Sequence, residues 1–236
     1  MLKTALDEIL ASPWKVFFYG YLLHLTRYLL IAGFAYLGLY VVLRRPLKGR
    51  KIQPGWPRLP QLRREVLYSL LSFVTFAAVG VLTLLANRRQ WTQVYLDIDS
   101  RGWGYYFVSL AALIAIHDTW VYGTHRLMHC RRLFPIMHRL HHRSQRPTPW
   151  AAFAFHPTEA AVQAMIFPLA AAVLPLHLMV AGLWLLYMTV MNVGGHLGYE
   201  VLPRGFATHP IFGWHNTPVH HDMHHRHQNC NYGLYF

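Results

Sequence analysis

Three short histidine clusters hold the chemistry this sequence can offer. They read His125-x3-His129, His138-x2-His141-His142 and His221-x2-His224-His225. On a helix, side chains three and four positions apart share a face, with Cβ atoms about 5–6 Å apart. Each cluster can therefore aim two or three imidazoles at one point. The eight histidines of these clusters exceed the four ligands or fewer of a mononuclear zinc site, and the surplus points to two metals side by side. Imidazole suits zinc, copper, iron and nickel. No Cys-x2-Cys pair accompanies the clusters, and the 2 cysteines, Cys130 and Cys230, argue against a zinc finger and against a disulfide framework. Neutral ligands leave both ions cationic with positions open, which suits binding and reducing dioxygen at iron. Soluble di-iron bundles recruit Glu and Glu-x-x-His motifs. This chain has 9 acids, and only Asp222 falls inside a cluster, so such a site must be almost entirely histidine. A metal-scavenging tract would be continuous and low in complexity, whereas these clusters are separated by ordinary apolar sequence.

The elements that must position them are membrane helices. Of 236 residues, 54% are hydrophobic and 13% charged, against about a quarter charged in a soluble domain. The fold class expected is all-α, an integral membrane helical bundle with a histidine-rich helical cap. The net charge of +13 is distributed between apolar runs, which points to the membrane surface and not to nucleic acid. Residues 1–18 carry Lys3, Asp7, Glu8 and Lys15 among apolar residues without a cleavage-site pattern, and read as an interfacial amphipathic helix. The remainder, 19–236, reads as one membrane-embedded domain. Spans are expected at about 19–43, 66–86 and 103–123, each near the roughly 20 residues a bilayer requires. His24 and Arg27 lie near the start of the first span and are expected to sit at the interface or snorkel. The stretch 160–193, broken at Pro168 and Pro175, reads as a short hairpin or re-entrant pair turning near Pro175 and His177.

Orientation follows from the positive-inside rule. The segment 44–64 contains Arg44, Arg45, Lys48, Arg50, Lys51, Arg58, Arg63 and Arg64 and no acid, which makes it cytoplasmic. Pro54, Pro57 and Pro60 prevent a continuous helix there. The third span then delivers His125 to the same side. Residues 126–158 agree, with Arg126, Arg131, Arg132, Arg139, Arg143 and Arg146 before the first acid, Glu159. The N-terminus and the link 87–102 fall outside. The histidine cap is thus expected on the cytoplasmic side, of the inner membrane in a bacterium or the endoplasmic reticulum in a eukaryote.

Over about residues 100–236 the chain resembles the membrane fatty acid hydroxylase and sterol desaturase superfamily. The resemblance rests on Asp118 before the first cluster, His156-Pro157-Thr158-Glu159, Asn192-x3-His196, and the closing Asn216-Thr217-Pro218-x-His220-His221-Asp222-Met223-His224-His225 with Asn231-Tyr232-Gly233. It implies a di-iron oxygenase that uses dioxygen and two external electrons to hydroxylate or desaturate a fatty acyl or sterol type of lipid. Carried over motif by motif, the ligands are His125, His129, His138, His141, His142, His196, His221, His224 and His225. The supporting shell is Asp118, His156, Glu159, Asn192, His220 and Asp222, some of them orienting ligand imidazoles. Asn192 stands where some relatives have histidine, as a weak ligand or the holder of a metal-bound water. His220 is a register alternative to His221. Gly123 and Cys130 depart from the aromatic and histidine often found there, and the incidental reading is kept for both cysteines. His117, His209, His215 and His227 are expected at the surface or outside the ligand set. The cofactors implied are two iron ions, which zinc can replace in a purified sample because it binds such sites more tightly than ferrous iron. With no haem or flavin segment evident, electrons must come from a separate ferredoxin or cytochrome with its reductase. A carotenoid hydroxylase or ketolase is the alternative enzyme, and a metal transporter the alternative from another class; the latter would place ionisable residues mid-span.

Overall fold

The computed structural model describes residues 2–236, with side chains from Thr4 onward. Met1 and the side chain of Lys3 lie outside the described residues. In chain order the helices are α1 (Leu2–Ala11), α2 (Pro13–Tyr36), α3 (Leu59–Arg88), α4 (Gly102–Met128), α5 (Phe134–Met137), α6 (Arg139–His142), α7 (Pro157–Ala164), α8 (Ile166–Val173), α9 (Leu178–Gly195) and α10 (Pro218–His227). Two dipeptide strands, β1 (Val94–Tyr95) and β2 (Leu176–His177), pair in parallel with Val94 opposite Leu176. Among the described residues the fold is all-α apart from that contact and one isolated antiparallel bridge between Lys51 and Tyr199.

Four helices are long and apolar enough to cross a membrane: Pro13–Val42, which is α2 continued by a π-helical turn, and α3, α4 and α9. The segment 1–18 is two pieces. Ser12 ends α1 and starts α2, accepting from the Lys15 backbone N–H at 3.5 Å, and Pro13 follows at the first helical position, where proline costs no hydrogen bond. The proline-rich loop forms one 3₁₀ turn, Lys48–Arg50, and α3 starts at Leu59 with Pro60 in its first turn. The hairpin is α7–α8 against α9, with its turn at β2. That turn meets the link 87–102 through β1, so both lie at the end of the bundle away from the histidines. The basic loop lies at the opposite end. Ile52 N–H donates to Gly198 O at 3.1 Å, Glu200 N–H to Arg50 O at 2.9 Å, and Gln53 Nε2 to Asp222 at 2.6 Å. Loop 44–64 and the histidine cap are therefore on one side.

The core is aromatic where the spans meet. Tyr28, Phe73, Phe153 and Tyr235 form one buried cluster, with Tyr28 edge-on to Phe73 at 5.2 Å; Tyr106, Leu113, Leu176 and Trp184 anchor a second beneath the turn. Buried polar groups are answered across elements. Glu65 accepts from Gln61 at 2.8 Å and from Thr148 at 2.5 Å, and Tyr28 donates to Trp150 O at 2.8 Å. These contacts bind α2 and α3 to the 3₁₀ segment Pro149–Phe153, which leads the chain from the second histidine cluster into α7. Arg27 does not snorkel. It is buried, donating to Leu185 O at 2.5 Å and to His24 Nδ1 at 2.6 Å.

Candidate metal centre

Nine imidazoles converge at the cap in two groups. His125, His129, His138, His142 and His224 form one; His141, His196, His221 and His225 form the other; within each group one nitrogen per residue lies within 4.8 Å of the rest. All are buried except half-exposed His129. Helix ends deliver them. His125 is in the last turn of α4 and His129 caps it; His196 caps α9; α6 is a single turn carrying His141 and His142. The α10 residues are aimed by Thr217, which accepts from His220 N–H at 3.2 Å, and by Pro218. The helix stops at Gln228 in the left-handed conformation, φ +63°.

The outward nitrogens of several rings are held by acceptors. His125 Nδ1 donates to Tyr232 O at 2.9 Å, His224 Nδ1 to Cys230 O at 2.6 Å, His196 Nδ1 to Asn192 O at 2.7 Å and His138 Nδ1 to Glu159 at 2.7 Å. A carbonyl oxygen only accepts, so His125, His196 and His224 each spend their one proton on Nδ1 and turn an Nε2 lone pair inward, and an ionised Glu159 holds His138 in the same state. Those lone pairs face other ring nitrogens. Nε2 of His138 is 2.9 Å from that of His125 and 3.1 Å from that of His142; Nε2 of His224 is 3.1 Å from His142 and 3.2 Å from His129. In the second group His196 Nε2 is 3.0 Å from His221 and 3.3 Å from His141. Too few protons remain for N–H···N bonds across every contact, and a cation at the centre of each group accepts all the lone pairs at once. Neighbouring nitrogens on one ion with bonds of about 2.0–2.1 Å are roughly 3 Å apart at right angles, which is the spacing found. The donor set fits two transition-metal ions.

Electrostatics keep the ligands free for metal. Burial holds His129, His196 and His224 down to about 4, and His142 to about 2. Burial first, and neighbouring imidazoles second, hold His138, His141, His221 and His225 well below the ordinary value. All are neutral imidazoles at neutral pH, the form that binds metal.

The residues expected to support the ligands divide. Glu159 orients His138, and Asn192 orients His196 through its carbonyl while its side chain donates to Ala152 O at 2.6 Å. Asp118 accepts from the backbone N–H groups of Leu234 and Tyr235 at 3.0 and 2.8 Å, so it holds the closing segment and not an imidazole. His156 caps α7 and pairs with Thr158 at 2.8 Å. Asp222 meets Gln53 and, at 3.2 Å, Arg226. His220 lies outside both groups, and its carbonyl accepts from Asn231 at 2.8 Å. His209 and His227 are exposed and His215 is half-buried. His117 is buried and shares a hydrogen bond with Tyr235 OH at 2.7 Å; His177 is buried in the far turn, bonded to Leu96 O at 2.8 Å. Sequence reasoning did not find the carbonyls of Tyr232 and Cys230; the only signal was the pair of turn-forming residues, Gln228 and Asn231, that take positive φ.

A cavity of about 500 Å³ starts at both groups, touching His125 and His138 of one and His141, His196 and His221 of the other. It runs between the spans to Leu10, Asn87 and Leu96 at the far end. Phe76, Phe153, Phe167, Trp184 and Met188 are among the apolar side chains of its walls. That size and lining are those of a site for an apolar small molecule.

Residues 110–236 match the model of the fatty acid hydroxylase family. Among curated proteins, a Delta(7)-sterol 5(6)-desaturase of Gibberella zeae is 29% identical over 179 residues, covering 75% of this chain and 53% of that protein. A second Delta(7)-sterol 5(6)-desaturase, from Aspergillus fumigatus, is 31% identical over 197 residues, covering 75% of this chain and 61% of that protein. Lathosterol oxidase of Rattus norvegicus is 31% identical over 179 residues, covering 75% and 58%. The matched part thus spans between half and two thirds of these relatives. No solved structure matches the chain.

Proposed function

We propose that this chain, which belongs to the fatty acid hydroxylase family, is a membrane-bound di-iron oxygenase that hydroxylates or desaturates a lipid of sterol or fatty acyl type. The observation that carries this reading is the junction of two histidine groups with a buried apolar cavity. His125, His129, His138, His142 and His224 would hold one iron, and His141, His196, His221 and His225 the other. When bound, the irons supply activation of dioxygen and removal of hydrogen from an unactivated C–H bond, using electrons from outside the chain.

The chain's own residues do the rest. The carbonyls of Tyr232, Cys230 and Asn192 and the carboxylate of Glu159 keep the Nε2 lone pairs aimed inward, so no ring must reorient when metal arrives. Phe153 and Phe155 line the space beside the histidines, and Met188 and Trp184 continue the apolar wall away from them, which keeps bulk water from the reacting carbon. Exposed Arg126, Arg131, Arg132, Arg139 and Arg143 lie in the segments that flank half-exposed His129 in sequence. They offer a face for an acidic electron carrier of ferredoxin or cytochrome type, with rates that fall as salt rises. The two basic segments support a cytoplasmic position for the cap, by the positive-inside rule.

The test is turnover of the purified, iron-loaded protein in lipid vesicles. Substrate and dioxygen alone should give no sustained product; adding reductant and carrier should start it. Oxygen-18 gas should label a hydroxylated product and leave a desaturated one unlabelled. Sustained product under strict anaerobiosis would sink the oxygenase reading.

A further inference from the structure

Behind the cavity wall lies a cation with no acid paired to it. Arg27 is buried mid-span on α2, and none of the salt bridges among the described residues involves it. Its Nη1 and Nη2 donate to Leu185 O and His24 Nδ1, and its Nε is buried without a partner. A guanidinium is always charged and never accepts, and an ionisable group inside a membrane span is retained at a cost that usually marks a function.

The pairing fixes the state of His24. Because Arg27 can only donate, His24 Nδ1 must present its lone pair, and the proton of the neutral ring is on Nε2. Among the described residues that Nε2–H has no hydrogen-bond partner, and the ring bonds to Arg27. His24 lines the cavity, with its ring against Phe73 at 6.0 Å and Phe76 at 5.3 Å. The wall beside it is cut low. Gly20, one turn earlier, Ala77 and Gly80 line the same space, and a Cβ on Gly80 would meet nothing within 4 Å. An atom of a ligand has room to approach the ring.

We propose that His24, with Arg27 behind it, is the specificity-determining contact for an oxygen atom on the lipid, a hydroxyl, carbonyl or carboxylate that accepts from Nε2–H. The proposal rests on the reading of the cavity as the lipid site. It selects oxygenated lipids over plain hydrocarbons, an unsubstituted polyisoprenoid included. It also sets the ligand's direction. Arg27 meets α9 at Leu185, eleven residues before His196, or about 16 Å along the helix. The oxygen is anchored away from the histidines while another part of the skeleton reaches them.

The test reads binding without turnover, on metal-loaded protein in nanodiscs, with pairs of probes that share a skeleton: cholesterol with cholest-5-ene, and hexadecan-1-ol with hexadecane. In at least one pair the oxygenated member should bind roughly two- to tenfold more tightly, the size of a hydrogen bond between neutral groups. His24→Phe should erase that preference while hydrocarbon binding stays, and His24→Asn, which keeps a donor, should restore part of it. Melting temperature and metal content report whether each variant folds. Equal binding within both pairs by the unaltered protein overturns the proposal whatever the variants do, and so does a preference that survives in His24→Phe. A protein with the preference but no product overturns the oxygenase reading alone; one that turns over without the preference overturns this proposal alone.

Discussion

Replacing Glu159 should loosen one metal and spare the other. Its carboxylate is 2% exposed and accepts from His138 Nδ1 at 2.7 Å. The second carboxylate oxygen, Oε2, is buried with no partner, so that single bond is the polar interaction lost in Glu159→Ala. His138 is central to the five-histidine group, its Nε2 within 3.1 Å of two others. Removing an acceptor behind a ligand imidazole typically lowers metal affinity ten- to a hundredfold, or about 1.4–2.7 kcal/mol. Glu159→Gln should lose less, because its amide oxygen still accepts from Nδ1 and only the negative charge disappears. No hydrogen bond among the described residues joins Glu159 to the four-histidine group, which serves as an internal reference. The assay is chelator competition on protein loaded with two ions per chain. Glu159→Ala should release one ion at a ten- to a hundredfold lower chelator concentration, with the release of the other unmoved. Simultaneous loss of both ions, or unchanged release of both, would refute the assignment of His138 to a separate five-histidine site.

Three further outcomes follow from other parts of the chain. His177→Ala should leave metal content unchanged and cost about 1–2 kcal/mol of stability in a denaturation experiment, because His177 caps α9 through Met179 N–H and ties the far turn to Leu96; lost metal would contradict it. The metal-free protein should weaken as pH falls: with His129, His196 and His224 held near 4 against about 6.5 when unfolded, the unfolded chain binds more protons in that interval. Stability should be full above about 6.5 and drop toward 4, and a melting temperature that is flat or higher at pH 5 than at pH 7.5 would oppose the sign. Arg45→Cys and Asp99→Cys, each in a Cys130→Ser, Cys230→Ser background, should label from opposite faces of sealed vesicles; labelling from one face would contradict the four-span arrangement.

Much of the frame was legible because hydropathy and histidine spacing are local signals. The spans read at 66–86 and 103–123 lie within α3 and α4. The helices extend further because their polar ends have partners a hydropathy reading cannot see: Gln61 donates to Arg146 O at 2.8 Å and to Glu65, and α4 must continue to Met128 to carry His125. What was hidden depends on chain segments distant in sequence. The carbonyl partners of His125 and His224 have no side-chain signature. The role of Asp118 depends on where Leu234 and Tyr235 return. His24 and Arg27 look interfacial when the span is counted from Tyr19, but α2 starts at Pro13 and leaves them more than two turns inside, where Leu185 of another helix answers Arg27.

The clusters themselves do something their spacing only half reveals. Reading each as rays toward one point is wrong for two of the three. Successive helical residues are turned by about 100°, so positions i and i+4 differ by about 40° on one side of the helix, and i+3 falls about 60° to the other side of i. His138 and His142 accordingly serve the first group while His141 serves the second; on α10, His221 and His225 serve the second while His224 serves the first. The two His-x2-His-His boxes are complementary, two imidazoles and one from α6 with its N-cap His138, one and two from α10. Adding the one-sided pair His125 and His129 and the single His196 yields five and four. Each box therefore straddles both groups, and a rigid single turn of helix sets the relation between them. A rotation of α6 or α10 that brought its ligands closer to one ion would draw them from the other. The seam between the groups is thus held by backbone geometry, with α6 and α10 each anchoring both ions at once.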